Sequence, residues 1–388
     1  MIMKKYLFIF LICWCTLSGF AQDSLHIRLD SLLRHPMFET TQVGLMVYDL
    51  QADTVVYQHN ARQLLRPAST MKLVTAITAL NTLGGGYQYR TRLCHTGTLA
   101  NGKLEGDLYC IGGFDPMITA DDIRDIARQL HLQGVDTLQG SIIADGSMKE
   151  ALDYGEGWCW DDNNPRLMAL SVGRKDVFVS QLVQALAADS IVLIDTQVGE
   201  GRCPATAQPV VDCVHTIDQA LLRMMKVSDN FYAESMFYQI AASTGRRPAK
   251  AGDARGVVKQ LVQRLGLNAN SYRFADGSGL SLYNYLSAEL ETMLLRYAWL
   301  HGEIYDHLLP ALPVAGIDGT LEKRMRGEYT LGKVRAKTGT LSGISSLAGY
   351  LTTYDGRPLA FCIINQGVMR NQDGKDFQDR VCTVLCQP

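Results

Sequence analysis

Apolar residues recur at helical spacing through SLHIRLDSLLRH (24–35), and TQVGLMVYDLQADTVVYQHN (41–60) then holds two β-rich runs around Gln51-Ala52-Asp53. A helix followed by a hairpin is the expectation. In RPASTMKLVTAITALNTL (66–83), Pro67 suits a first helical turn, the apolar positions keep one face, and Gly84-Gly85-Gly86 ends the pattern. Ser69 therefore falls at or near a helix N-terminus. From residue 90 the texture changes to short strand-like pieces separated by glycine turns, then a helix in ADDIRDIARQLHLQG and a strand in TLQGSIIADGS. GEGWCWDDNNP follows, with Trp158 and Trp160 expected in the core, and a polar stretch containing Pro204 and Pro209 runs from 197 to 210.

Helical spacing returns in TIDQALLRMMK, where Thr216 and Gln219 fit a capping box, and in FYAESMFYQIAAS and SAELETMLLRYAWLHG. The segment 329–367 reads as β-rich runs turning at Asp355-Gly356, and DFQDRVCTVLC closes the chain as a helix. This pattern predicts an α+β fold, an antiparallel sheet built from the two ends of the chain with helices against it. A domain made of 22–90 and 211–388, interrupted by an inserted α/β domain at 91–210, accounts for the length of 388 residues.

The first 21 residues read as a secretory signal: MIMKK is basic, YLFIFLICWCTLSGF is apolar but short for a membrane span, and small residues precede Gln22. Cleavage there leaves a formal net charge of −4 and no basic stripe, which argues against a nucleic-acid partner. Eight cysteines remain, with no CxxC pair and no histidine at a spacing typical of zinc sites, so no metal is expected. Cys203 and Cys213 flank a proline-containing loop and are open to two readings, a local disulfide or buried thiols.

Ser69 and Lys72 are three residues apart, which on a helix places them on one face, one turn apart. A lysine can serve as base for a serine if burial and a second cation lower its pKa. Ser228-Asp229-Asn230 follows between two helices, and Lys337-Thr338-Gly339-Thr340 lies on a strand. In that order S-x-x-K, S-D-N and K-T-G form the signature of penicillin-interacting serine enzymes. Roles follow from chemistry. Ser69 is the nucleophile and Lys72 its base, with Lys337 as the second cation and the partner of a substrate carboxylate. Ser228 relays a proton to the leaving amine, and Asn230 holds Lys72 and the substrate amide. The Ser69 and Thr340 backbone amides form the oxyanion hole, Thr338 binds the terminal carboxylate, and Gly339 admits the substrate backbone. Asp229 has no role that the sequence suggests.

The segments RPASTMKLVTA, GDLYCIGGFDP, GWCWDD, VSDNFYAES, ADGSGLS, AGIDGTL and AKTGTLSGISSLAGY together resemble the D-alanyl-D-alanine carboxypeptidase/endopeptidases of the low-molecular-mass class C penicillin-binding proteins. The resemblance implies a periplasmic enzyme with a penicilloyl-serine-transferase (β-lactamase-like) fold and an insertion reduced relative to the family. It implies peptidoglycan stem peptides as substrates, β-lactams as covalent inhibitors and no cofactor. Asp145 resembles the family's acidic contact to the third stem-peptide residue, whereas Leu282 stands where an arginine commonly follows DGSGLS. A β-lactamase, or a cell-wall binding or β-lactam-sensing protein without turnover, are the alternatives.

Overall fold

The computed structural model describes residues 24–162 and 164–388, so the expected signal at 1–21 lies outside the described residues. The chain divides into two compact units.

One unit comprises the described residues up to Pro67 with Leu286–Arg296 and Pro313–Pro388. Its centre is a fully antiparallel five-stranded sheet in the order Val334–Leu341, Ile344–Thr352, Pro358–Gln366, Gln42–Asp49, Thr54–His59. The two expected turns are where they were read: Asp53 adopts φ 53° in the first hairpin and Gly356 φ 88° in the turn before Pro358. Ile344–Thr352 and Pro358–Gln366 are buried along almost their whole length, because elements cover both faces. Residues 24–33 are helical and pack with Asn371–Cys386 on one face, in a core that joins Leu29, Leu45, Val47, Phe361, Phe377 and Val381. On the other face the Tyr350 hydroxyl donates to the Leu295 carbonyl at 2.8 Å.

The second unit comprises Ala68–Tyr285 and Tyr297–Leu312. Helix Met71–Leu83 is its axis, and ten consecutive residues from Met71 to Leu80 are buried. The expected single apolar face is therefore an understatement: neighbouring helices surround it, and Thr75 and Thr78 are buried with the rest. Helices Ile217–Lys226, Asn230–Ala242, Ala251–Arg264 and Gly302–Ala311 complete this cluster. The Thr216–Gln219 capping box forms as the sequence suggested.

Within the same unit lie a mixed five-stranded sheet and a four-stranded sheet. The first runs Val198–Glu200, Ile142–Asp145, Leu108–Ile111, Gln88–His95, Gln208–Thr216. Helices Ala120–Leu132 and Phe178–Ala188 bury Ile123, Ile126, Leu130, Leu182 and Leu186 with Leu93, Leu108 and Ile142 in one core. The run TLQGSIIADGS, expected as one strand, is two. Thr137–Gln139 belongs to the four-stranded sheet and Ile142–Asp145 to the other. Gly140 makes the switch, since a Cβ there would collide with the Gly106 carbonyl oxygen. Trp160, expected in the core, is 96% exposed because its loop has no element over it, while Trp158 is half-buried and donates to Asp276 at 2.8 Å. No helix of the described residues is long and apolar enough to cross a membrane.

Candidate active site

Ser69 lies in a single 3-10 turn, Ala68–Thr70, that leads directly into helix Met71–Leu83. Lys72, in the first turn of that helix, is completely buried. Its Nζ donates to Ser69 Oγ at 2.9 Å, to Asn230 Oδ1 at 2.7 Å and to the Ser278 carbonyl at 2.7 Å. Three acceptors satisfy all three N–H groups of the ammonium. Burial is the largest influence on this amine and pushes it down to about 8, while the carboxylates of Asp276, Glu234 and Asp229 pull the other way. The sequence reading named burial and a second cation, and burial is the influence that lowers it.

The Ser228-Asp229-Asn230 loop is fixed by Asp229, the residue that lacked a role. Its Oδ1 caps helix Asn230–Ala242 by accepting from Phe231 N at 3.1 Å. Its Oδ2 accepts from Arg223 Nε at 2.9 Å and from Arg174. Asn230 then stands between two elements, its Oδ1 toward Lys72 and its Nδ2 donating to Asn164 Oδ1 at 3.1 Å. Ser228 has φ 62° and Ala68, just before the nucleophile, φ 49°, both in the left-handed region that is costly for residues other than glycine. Such strain concentrates at functional sites.

Beneath this group lies the turn Asp276–Ser281. Gly279 has φ 81°, and a Cβ on it would collide with the Ala68 carbonyl oxygen, so only glycine lets the turn pack against the nucleophile's own backbone. Asp276 accepts from Gly279 N, Ser281 N, Asn284 Nδ2 and Trp158 Nε1, all between 2.7 and 2.8 Å. Glu234 accepts from Gly277 N at 3.0 Å and Ser278 N at 2.8 Å. Burial, and then the charge of Asp276, push the Glu234 carboxyl up to about 8. None of Asn164, Glu234, Ser278 or Gly279 was singled out from the sequence. The repeated glycine in ADGSGLS was the available signal for the last of them.

The structure thus brings Ser69, Lys72 and Asn230 into one hydrogen-bonded group, with Ser228 in the loop beside Asn230. Lys337, Thr338, Gly339 and Thr340 lie in the other unit, on the outer strand Val334–Leu341 of its sheet. Lys337 is buried and donates to the Thr338 carbonyl at 2.8 Å; Thr338 Oγ1 donates to Thr320 Oγ1 at 2.8 Å. Asp145 is 1% exposed at the end of its strand, and its oxygens accept from Ser147 N and Cys203 N at 2.9 Å and from Arg247 at 3.3 Å. The Arg247 side chain beside it is 41% exposed.

Comparison with known proteins identifies the family and the fold. The model of the D-Ala-D-Ala carboxypeptidase 3 (S13) family matches residues 25–174 and 163–387. The chain is 24% identical over 414 residues to D-alanyl-D-alanine carboxypeptidase DacB of Haemophilus influenzae, covering 83% of this chain and 85% of that one. It is 28% identical over 454 residues to the D-alanyl-D-alanine carboxypeptidase of Actinomadura sp., covering 90% and 82%. The crystal structure of penicillin binding protein 4 from Haemophilus influenzae superposes with a TM-score of 0.84 at 22% identity, over 93% of this chain and 99% of that one. The fold is that of the penicilloyl-serine transferases, and the chain belongs to the D-Ala-D-Ala carboxypeptidase 3 (S13) family of serine-type carboxypeptidases.

Proposed function

We propose that this enzyme removes the terminal D-alanine of peptidoglycan stem peptides, or cleaves their D-alanyl cross-links, through an acyl-enzyme on Ser69. Neutral Lys72 takes the Ser69 hydroxyl proton as Oγ bonds to the carbonyl carbon of the penultimate D-alanine. The C–N bond then breaks, the departing amine receives its proton through Ser228, and water hydrolyses the ester. Asn230 orients Lys72. Lys337 and Thr338 engage the substrate's terminal carboxylate, Gly339 admits its backbone, and the amides of Ser69 and Thr340 stabilise the oxyanion. Asp145, with Arg247 beside it, is the acidic contact to the third stem-peptide residue. The catalytic domain is assigned to 22–90 and 211–388, with 91–210 as an insertion, and a signal at 1–21, removed on export, directs the chain to the periplasm.

The observation that carries this reading is the 2.9 Å contact of a buried, readily neutralised Lys72 with Ser69 Oγ. Whole-protein mass spectrometry after exposure to benzylpenicillin, with D-alanine release from a stem pentapeptide assayed in parallel, tests it. A lasting adduct that is lost in Ser69→Ala, together with D-alanine release, supports the peptidase. A short-lived adduct with rapid penicillin loss makes the chain a β-lactamase, and an adduct without any D-alanine release makes it a sensor.

A further inference from the structure

Away from the Ser69 site, three groups of different chemistry converge on one side of the strand Gln208–Thr216. Cys213 and His215 are two residues apart and so face the same way. Asp122, in the first turn of helix Ala120–Leu132, meets them, and the thiol, one imidazole nitrogen and one carboxylate oxygen lie within 4.8 Å of one another. The sequence reading found no histidine at zinc spacing because one of these residues comes from a distant helix, and because a Cys-x-His pair has meaning only on a strand.

Each side chain is already oriented. Asp122 uses Oδ2 for its capping box, accepting from Thr119 N at 2.7 Å and Thr119 Oγ1 at 2.6 Å, which leaves Oδ1 facing His215 Nε2 at 3.7 Å. Asp115, whose side chain has no exposure, takes the other ring nitrogen: Nδ1 of His215 donates to Asp115 Oδ2 at 2.6 Å. Asp115 is itself fixed by Met117 N at 2.9 Å. A carboxylate behind a histidine, holding the ring so that Nε2 points into a cluster, is the arrangement that orients metal-bound imidazoles.

We propose that Asp122, Cys213 and His215 bind a zinc ion, with Asp115 as the positioning residue behind His215. Tetrahedral zinc with bonds of about 2.0–2.3 Å separates neighbouring ligand atoms by roughly 3.3–3.8 Å. The 3.7 Å between His215 Nε2 and Asp122 Oδ1, and the thiol within 4.8 Å of both, place the three atoms within about 1 Å of that spacing, so binding draws them together. One sulfur, one nitrogen and one oxygen suit zinc and disfavour calcium and magnesium, which take oxygen ligands. The His215 and Asp122 side chains keep 15% and 26% exposure, which gives the ion an entry path and a water as fourth ligand. Binding replaces the thiol proton and whatever proton Nε2 carries.

The ion would brace a segment that matters. The strand runs into helix Ile217–Lys226, whose end leads to Ser228. On the other side of Asp115, the carbonyls of Gly113 and Phe114 accept from Gln239 at 2.7 Å and Ser235 at 2.5 Å, both on helix Asn230–Ala242.

The test loads the purified mature chain with zinc, removes unbound ion by gel filtration and measures retained metal. A cobalt(II)-loaded sample is examined in parallel for a thiolate charge-transfer band. Wild type should retain about one ion per chain and melt at a higher temperature with zinc than with chelator. Cys213→Ser should lose the cobalt band, His215→Gln should lose retention, and Asp115→Asn should weaken affinity by roughly 10- to 100-fold. Cys213→Ser is nearly isosteric, so it decides the matter even if His215→Gln folds poorly. No stoichiometric retention by wild type overturns the proposal. So does a band that survives Cys213→Ser but disappears in Cys203→Ser, since the free thiols of Cys203 and Cys94 are hydrogen-bonded to each other and form the rival soft site.

Discussion

The charge state of Lys72 yields the sharpest prediction. Acylation needs Lys72 neutral, and burial lowers its pKa from 10.5 to about 8. That change corresponds to about 3.4 kcal/mol in favour of the neutral amine. At pH 7 about one molecule in ten then carries a competent base, where an ordinary lysine would offer about one in three thousand. The rate of Ser69 acylation by benzylpenicillin, whose carboxylate stays ionised throughout, should therefore rise about tenfold per pH unit from pH 6 and level off just above 8. Rapid-quench mass spectrometry at a fixed, sub-saturating penicillin concentration gives this profile directly. Asn230→Ala removes an acceptor that stabilises the cation, so its limb should move to lower pH even as lost orientation lowers the plateau. A profile that is flat between pH 6 and 9 would refute Lys72 as the base, and a wild-type limb near 10 would refute the lowering of its pKa by burial.

Other consequences can be checked separately. Gly279→Ala places a methyl group against the Ala68 carbonyl oxygen in a left-handed position, so acylation should slow by at least about tenfold with a stability loss of about 1–3 kcal/mol, measured by penicillin trapping and chemical denaturation. Asp229→Ala removes a helix cap and two arginine contacts; because both arginines can rehydrate, the loss should be about 1–3 kcal/mol in denaturant unfolding, with slowed acylation. Glu234 is raised from 4.5 to about 8, so its contribution to stability is fully present below pH 4.5 and is lost as pH rises through 8. Glu234→Gln should therefore flatten the fall in melting temperature between pH 5 and 8, read by calorimetry, and an unchanged slope would count against a protonated Glu234.

Much of this was legible in the chain because local chemistry and fold agreed. Thr216 and Gln219 announced their capping box, and the turns at Asp53 and Gly356 needed nothing beyond the hairpin itself. Ser69, Lys72 and Asn230 could be named because a motif is a short string, even though Lys72 and Asn230 are distant in sequence. What escaped was set by packing. Helix Met71–Leu83 looks one-faced in sequence yet is covered all round, and Trp160 looks like core yet stands in solvent, because neither fact depends on the segment alone. TLQGSIIADGS keeps a strand-like composition across a glycine at which the chain changes sheets. Asp229 was unreadable because its partners Arg174 and Arg223 come from a separate loop and the preceding helix.

The buried carboxylates around Lys72 raise a question that the hydrogen bonds answer. A buried lysine beside a buried aspartate normally stays charged, because each ion is the other's compensation and neutralising one strands the other. Asp276 escapes that dependence. Its oxygens receive two backbone amides, the Asn284 amide and the Trp158 indole, so it can remain an anion whether or not Lys72 is protonated. Glu234 escapes it differently: it accepts from two amides through one oxygen, and burial keeps the carboxyl protonated up to about pH 8. Lys72 is thereby left with only neutral acceptors in direct contact, those of Ser69, Asn230 and Ser278. An amine held by neutral oxygens gives up its proton far more readily than one paired to a carboxylate. The turn Asp276–Ser281 thus serves catalysis by satisfying its own acids, so that the lysine above it is free to act as a base.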